Sequence, residues 1–295
     1  MKDTFSSYHP AITMIFFTFV ILAAVFLYHP VLVAISFAAG MAYSIYLKGK
    51  KAVKLNLKVI LPMMLIAIAI NILFNHQGDT VIGSIFGWPV TLEALGFGVV
   101  VSAVIASMVM WFSCYNVVMT SDKFVYLFGR VIPSLSLILS MVFRFIPKFE
   151  AQTKKIIHAQ KYVGKDVASG TWKTRARNGA LILSIMASWA LENSAHTVDS
   201  MKSRGHRLKG RTAYALYRFD ARDRTLLIIM IVLLALFLGC VAARVLYADY
   251  FPSFEMNEWT WLSGLLYAVY AVICWMPLIL NVKEDIVWHL LRSRV

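Results

Sequence analysis

Charge is scarce in this 295-residue chain, and acidic charge is scarcest: 15% of residues are charged, and only 15 are Asp or Glu against 29 Lys and Arg. A soluble domain of this length needs a mixed, charged surface. With 60% hydrophobic residues and a mean hydropathy of +0.70, the bilayer is the natural solvent instead. Cysteine is nearly absent. Cys114, Cys240 and Cys274 each lie in an apolar run without a Cys or His neighbour at metal spacing, and read as reduced packing residues. The net charge of +14 does not point to nucleic acid, because no separate basic domain is present to carry it. The cations flank apolar runs and cluster on one side, as orientation in a membrane requires.

Six stretches approach the roughly 20 apolar residues that a spanning helix needs: Ala11–Tyr28, Val31–Leu47, Leu57–Phe74, Ala94–Met119, Leu226–Leu246 and Trp259–Leu280. Met1 to Pro10 offers one Lys and one Asp before the first run and no small-residue cleavage site, so the first helix is expected to be retained. His29-Pro30 makes a tight re-entry between the first two spans. Lys48, Lys50, Lys51, Lys54 and Lys58 form the next connection, which the positive-inside bias places in the cytoplasm together with both termini. His76 to Glu93, without Lys or Arg, is expected outside, and so is Arg244 to Glu258 with its three acids and one Arg. Trp88, Tyr247, Trp259 and Trp261 stand where interfacial aromatics belong. Thr91 is the expected N-cap of the fourth span, and Asn71 and Asn116 read as interhelical hydrogen-bonding groups. Val131–Pro147 and Ala180–Leu191 are apolar but short. They are read as amphipathic or half-buried helices at the cytoplasmic face rather than as a further pair of crossings.

Between Lys148 and Arg224 lie sixteen of the 29 cations and six of the 15 acids. In this block Phe149, Thr153, Ile156, Ile157 and Gln160 mark a helix that Gly164 terminates. After the polar stretch Lys165–Thr171 a second helix is expected from near Asn178, past Leu191, Ala195 and Val198, to Gly205. Aligning the glycines sets Gln160-Lys161-Tyr162-Val163-Gly164 beside Met201-Lys202-Ser203-Arg204-Gly205. A cation in a last helical turn is favoured by the helix dipole, and a guanidinium there can fork onto carboxylates or carbonyls of another protein. From charge alone, Lys202, Arg204, Arg207, Lys209 and Arg211 need do no more than touch anionic headgroups.

These residues resemble the transmembrane T component of energy-coupling-factor (ECF) ABC transporters. Arg144-Phe145-Ile146-Pro147, then Ala159-Gln160 ahead of Gly164, then Asp199-Ser200-Met201-Lys202-Ser203-Arg204-Gly205 are similar in type, order and spacing to that family's signature region. The resemblance implies an all-α integral membrane protein of about six transmembrane helices with long cytoplasmic coupling helices. Residues 1–130 would hold the N-terminal transmembrane helices, 131–224 the coupling-helix region and 225–295 the C-terminal transmembrane helices. It further implies a non-catalytic scaffold in a prokaryotic plasma membrane, bound to two ABC-type ATPase subunits that hydrolyse ATP and to a small membrane-embedded subunit that binds a vitamin or metal ion. In such proteins two arginine-centred motifs end the coupling helices and lodge in the ATPases. Ser203-Arg204-Gly205 matches one motif fully, whereas Ala159, Gln160 and Gly164 match only the frame of the other. Val163 stands where the family usually has Arg, and valine donates no hydrogen bond; either Lys161 or Lys165 substitutes, or that contact is mainly apolar. Leu191, Ala195 and Val198 would pack on the substrate-binding subunit. No cofactor is implied.

Other chemistries fare worse. Glu192, His196 and Asp199 share a helix face at i, i+4 and i+7, but a solvated face opposite Leu191, Ala195 and Val198 accounts for them without a metal. Arg144 before Pro147 lies at the cytoplasmic end of its segment, where snorkelling or a structural bond explains it better than a transport path. A self-sufficient secondary transporter or channel, the alternative reading, wants ionisable groups near the midplane of several spans. An intramembrane enzyme wants a paired acid and base. The six spans offer almost none of the former, and the latter is not found.

Overall fold

The computed structural model of the protein describes residues 3–85, 88–206, 208, 217–243, 246–252, 254–257 and 259–292. Arg207, Lys209, Arg211, Arg244 and Glu258 lie outside the described residues, as does the side chain of Trp88. Each expected span is a helix: α1 (Pro10–Phe26), α2 (Pro30–Lys48), α3 (Lys50–Leu55) running on through a π turn into α4 (Leu61–Phe74), α5 (Leu92–Val118), α9 (Ala221–Ala242) and α10 (Trp261–Arg292). All but α1 are long and apolar enough to cross a bilayer, and α1 is an apolar helix of 17 residues. The molecule is an all-α membrane protein, with two small antiparallel hairpins among the described residues, β1 (Val81–Ile85) with β2 (Trp88–Thr91) and β3 (Ala248–Asp249) with β4 (Glu255–Met256).

Local chemistry sets the helix boundaries. Pro10 and Pro30 occupy the first turns of α1 and α2, where a missing N–H costs nothing. Thr91 caps α5 by accepting the Ala94 N–H at 3.3 Å, as expected. Asp220 and Asp223 close a reciprocal capping box on α9. The lysine-rich connection departs from expectation. Only Gly49, at φ +55°, breaks the helix there, and Lys50 to Lys58 are helical. Asn71 lies against Gly98, but its Oδ1 has no hydrogen-bond partner, and Asn116 is exposed. Among the described residues neither makes the interhelical bond expected of it. Asn71 instead fills the space left by the missing side chain of Gly98.

The chain forms two compact units, residues 1–123 with 217–295, and residues 124–216. The first has a core of aromatic edges, with Phe5, Phe16, Phe17 and Trp111 each fully buried. Trp111 Nε1 donates to Ser36 Oγ at 3.0 Å. Polar locks close both ends of this bundle. At one end Asp3 accepts from Tyr43 Oη (3.0 Å) and Asn281 Nδ2 (2.5 Å), and Asn281 Oδ1 accepts the Thr4 N–H at 2.7 Å. At that end too, the buried Lys123 ammonium donates to the Ser6 and Val118 carbonyls, and burial pushes its pKa down. At the other end His29 Nε2 meets Asn257 Oδ1 at 3.0 Å and Tyr267 Oη at 3.2 Å. The first residues of the chain and the last third of α10 thus lie at the same end of this bundle.

Candidate functional site

The second unit contains α7 (Pro133–Tyr162) and α8 (Trp172–Ser203), following the short α6 (Ser121–Val131) that runs into it. Both are longer than expected. The helix of α7 passes through Pro147 instead of ending there, and α8 begins six residues before Asn178. Pro147 removes one backbone donor but does not end the helix, since the turns on either side keep their own hydrogen bonds. Neither α7 nor α8 carries a long enough apolar window to cross a membrane.

The two helices cross antiparallel. Phe149 meets Trp189 edge-on, with centroids 5.3 Å apart at 88°. Lys148 stands 5.6 Å over the same indole and donates to Asn193 Oδ1 at 2.6 Å. Further along, Thr153 Oγ1 reaches Met186 Sδ at 3.5 Å, and Ile156 and Ile182 are buried. Asn178 Nδ2 and Arg175 Nε then tie the connection by donating to the Asp166 and Val167 carbonyls at 3.0 and 2.9 Å. The sequence showed the apolar period of α7 but not these partners, since a Phe and a Trp forty positions apart carry no mark of pairing.

Beyond the crossing, the two helices end in the same geometry. The C-cap of α7 is Val163, at φ −87°, ψ 8°, and that of α8 is Arg204, at φ −86°, ψ 8°. Gly164 and Gly205 both sit at φ +76°. The Gly164 N–H donates to Lys161 O (3.1 Å) and the Lys165 N–H to Gln160 O (2.9 Å); the Gly205 N–H donates to Lys202 O (3.0 Å) and the His206 N–H to Met201 O (3.1 Å). Each is a Schellman motif, in which a left-handed residue after the cap satisfies the last carbonyls. The sequence marked both glycines; it did not reveal that the caps match residue for residue.

The side chains on these caps differ. Tyr162 is 89% and Val163 70% exposed, whereas the other cap presents Ser203 and Arg204, both exposed. Ser203 Oγ bonds the Ser200 carbonyl at 2.9 Å. Lys161 and Ala159 are exposed, Gln160 is half-buried, and Lys202 lies 3.9 Å from Asp199 in a solvated pair. Along α8, Leu191 (73% exposed), Ala195 and Val198 (48%) continue a stripe that includes Leu183 and Ala187. The helical period sets this stripe away from the Ile182, Met186 and Trp189 face that packs on α7. Glu192 and His196 are solvent-exposed. Among the described residues no three His, Cys, Asp or Glu side chains gather to hold a metal.

Residues 2–214, well over half of the chain, match the profile of a family described as cobalt transport protein (CbiQ). The chain belongs to that family. The match takes in α1 to α8 and both helix caps. Curated relatives carry the name energy-coupling factor transporter transmembrane protein EcfT. The protein of Listeria innocua is 37% identical over 100 residues, 34% of this chain and 38% of that one. The protein of Lactobacillus helveticus is 32% identical over 113 residues, 38% of this chain and 41% of its own length. The Bacillus subtilis protein is 32% identical over 103 residues, 35% of this chain and 39% of the relative. The chain thus spans about two fifths of the length of the curated relatives it matches.

Proposed function

We propose that this cobalt transport family member is the transmembrane scaffold and coupling subunit of an ECF-type ABC importer. Two ABC-type ATPase subunits seat the caps of α7 and α8, and a small membrane-embedded subunit packs on the stripe containing Leu191, Ala195 and Val198. ATP binding draws the ATPases together, moves the seated caps, and through the crossing shifts the substrate-binding subunit to release a vitamin or metal ion inward. This chain performs no chemistry of its own, and both its termini and its caps face the cytoplasm of a prokaryotic cell. The observation that carries the reading is the pair of matched, solvent-exposed caps at the ends of two crossed helices, one of them presenting an arginine. An exposed apolar stripe beside them supplies a surface of the kind that partners cover. Affinity purification of the chain from native membranes tests it. Recovery of nucleotide-binding subunits together with a small hydrophobic subunit supports the scaffold. A lone homo-oligomer that transports in vesicles overturns it.

A further inference from the structure

We infer that Lys50, Lys54 and Lys58 form a binding site for the phosphate of an anionic phospholipid whose acyl chains lie along Leu61 and Leu65. The site rests on the membrane character of α3 and α4 and on no protein partner.

The lysine-rich connection is helix from Lys50 onward, through the π turn at Asn56–Ile60 and into α4. A helix fixes the face on which each lysine stands. Ala52 and Ile60, both buried, mark the side that packs on the bundle. At 3.6 residues per turn, a step of two residues leads to the opposite side of a helix, about 200° away. Lys50 and Lys54 each lie two residues from Ala52, and Lys58 lies two from Ile60, so all three stand on the face turned away from the bundle. They are exposed, and among the described residues no acid pairs with any of them. The sequence offers none nearby, since no Asp or Glu occurs between Asp3 and Asp79.

The same face continues toward the hydrocarbon. Leu61 and Leu65 follow Lys58 at i+3 and i+7 and are exposed, and among the described residues none of α4 is buried. Residues 50–74 make a continuous helix of 25 residues, about five more than the hydrocarbon requires. Counted back from Phe74, about 20 residues reach Leu55. Lys54 and Lys50 then stand about 2 and 8 Å beyond the hydrocarbon, at headgroup depth, and Lys58 reaches that depth by its long stem. Ammonium groups at the phosphate level with leucines beneath them repeat the order of groups along a lipid. An acidic protein surface would answer the lysines alone.

Titrating phosphatidylglycerol into the full-length chain, purified in a neutral detergent, and following its melting temperature tests this. A rise is expected with phosphatidylglycerol and none with phosphatidylcholine or inorganic phosphate; an equal rise with either of these overturns the site. K50Q/K54Q/K58Q is expected to need at least about tenfold more phosphatidylglycerol for the same rise, because each lysine at an anionic surface contributes about fivefold in affinity. K50R/K54R/K58R should respond as wild type does. K154Q/K155Q/K173Q removes equal charge elsewhere and should leave the response unchanged; a loss as large as that in the first variant would reduce the effect to net charge and overturn the row. A second measurement needs no lysine variant. With p-benzoylphenylalanine in place of Leu57, which follows Lys54 at i+3 and is exposed, photolysis in native membranes should give phospholipid adducts, whereas a polypeptide adduct would assign the row to a protein partner and overturn the inference.

Discussion

Arg204 ends α8 on an exposed turn, and its charge is favoured there by the carbonyls of the last turn. Reversing that charge sets it against the helix dipole and removes the donor that the proposed ATPase contact uses. Arg204→Glu is therefore expected to abolish substrate uptake by the assembled complex, and uptake at the wild-type rate would remove the residue from the coupling role. The glycines that follow the caps are constrained differently. A side chain at φ +76° costs about 1–2 kcal/mol at either site. A Cβ at Gly205 would also come within 2.8 Å of Leu208 Cδ1, whereas one at Gly164 meets nothing within 4 Å. Gly205→Ala should thus disturb its cap more than Gly164→Ala, measurable as faster amide exchange in the last turn of α8 than of α7. His29 is a third site with a clear expectation. Burial lowers its pKa from 6.5, so the stability gained by keeping it neutral is present above that value and is lost as pH falls below it. Thermal stability should decline from about pH 7.5 to about pH 5.5, the range in which histidine titrates, and His29→Gln should flatten the decline. Thr91, Gly164 and Gly205 were legible in the sequence because caps and left-handed turns depend on a few neighbouring residues. The exposure of Tyr162 was not, because it depends on where the rest of the chain ends up.

Helices α7 and α8 are held by few contacts, concentrated where Phe149, Trp189 and Lys148 meet. Trp189 is only half-buried, so Trp189→Ala should cost about 1–3 kcal/mol, less than a fully buried aromatic, and should lower the melting temperature of the purified chain. Lys148→Ala should cost under about 1 kcal/mol, as exposed cation–π and polar contacts do. A melting temperature equal for Trp189→Ala and wild type would show that the crossing is held elsewhere. The lengths of both helices were underread for one reason: Pro147 and the polar residues after Thr171 are stop signals only where nothing else supports a helix. Here the antiparallel neighbour supports both.

For the whole molecule, the periodicity of apolar runs located every spanning helix, since about 20 apolar residues have few other uses. The lysines near residue 50 and the cation-free stretch from His76 to Glu93 support the proposed orientation. With Cys114 and Cys274 buried and Cys240 half-buried, single-cysteine labelling can test it. Asp79→Cys should react with an impermeant maleimide in intact cells, and Lys165→Cys only after permeabilisation; the reverse pattern would invert the topology. What composition could not give is the division into two units, because the boundary near Lys123 falls in a short amphipathic helix and coincides with no glycine, proline or charge run.

The crossing of α7 and α8 at Phe149 and Trp189 sits midway between the two caps. From Phe149 to the Val163 cap is about 21 Å, and from Trp189 to the Arg204 cap about 22 Å, at about 1.5 Å per residue. A pivot placed there acts as a lever with nearly equal arms: a swing of about 10° carries each cap through about 4 Å on that geometry. The cap that ends in valine and the cap that ends in arginine would share one stroke.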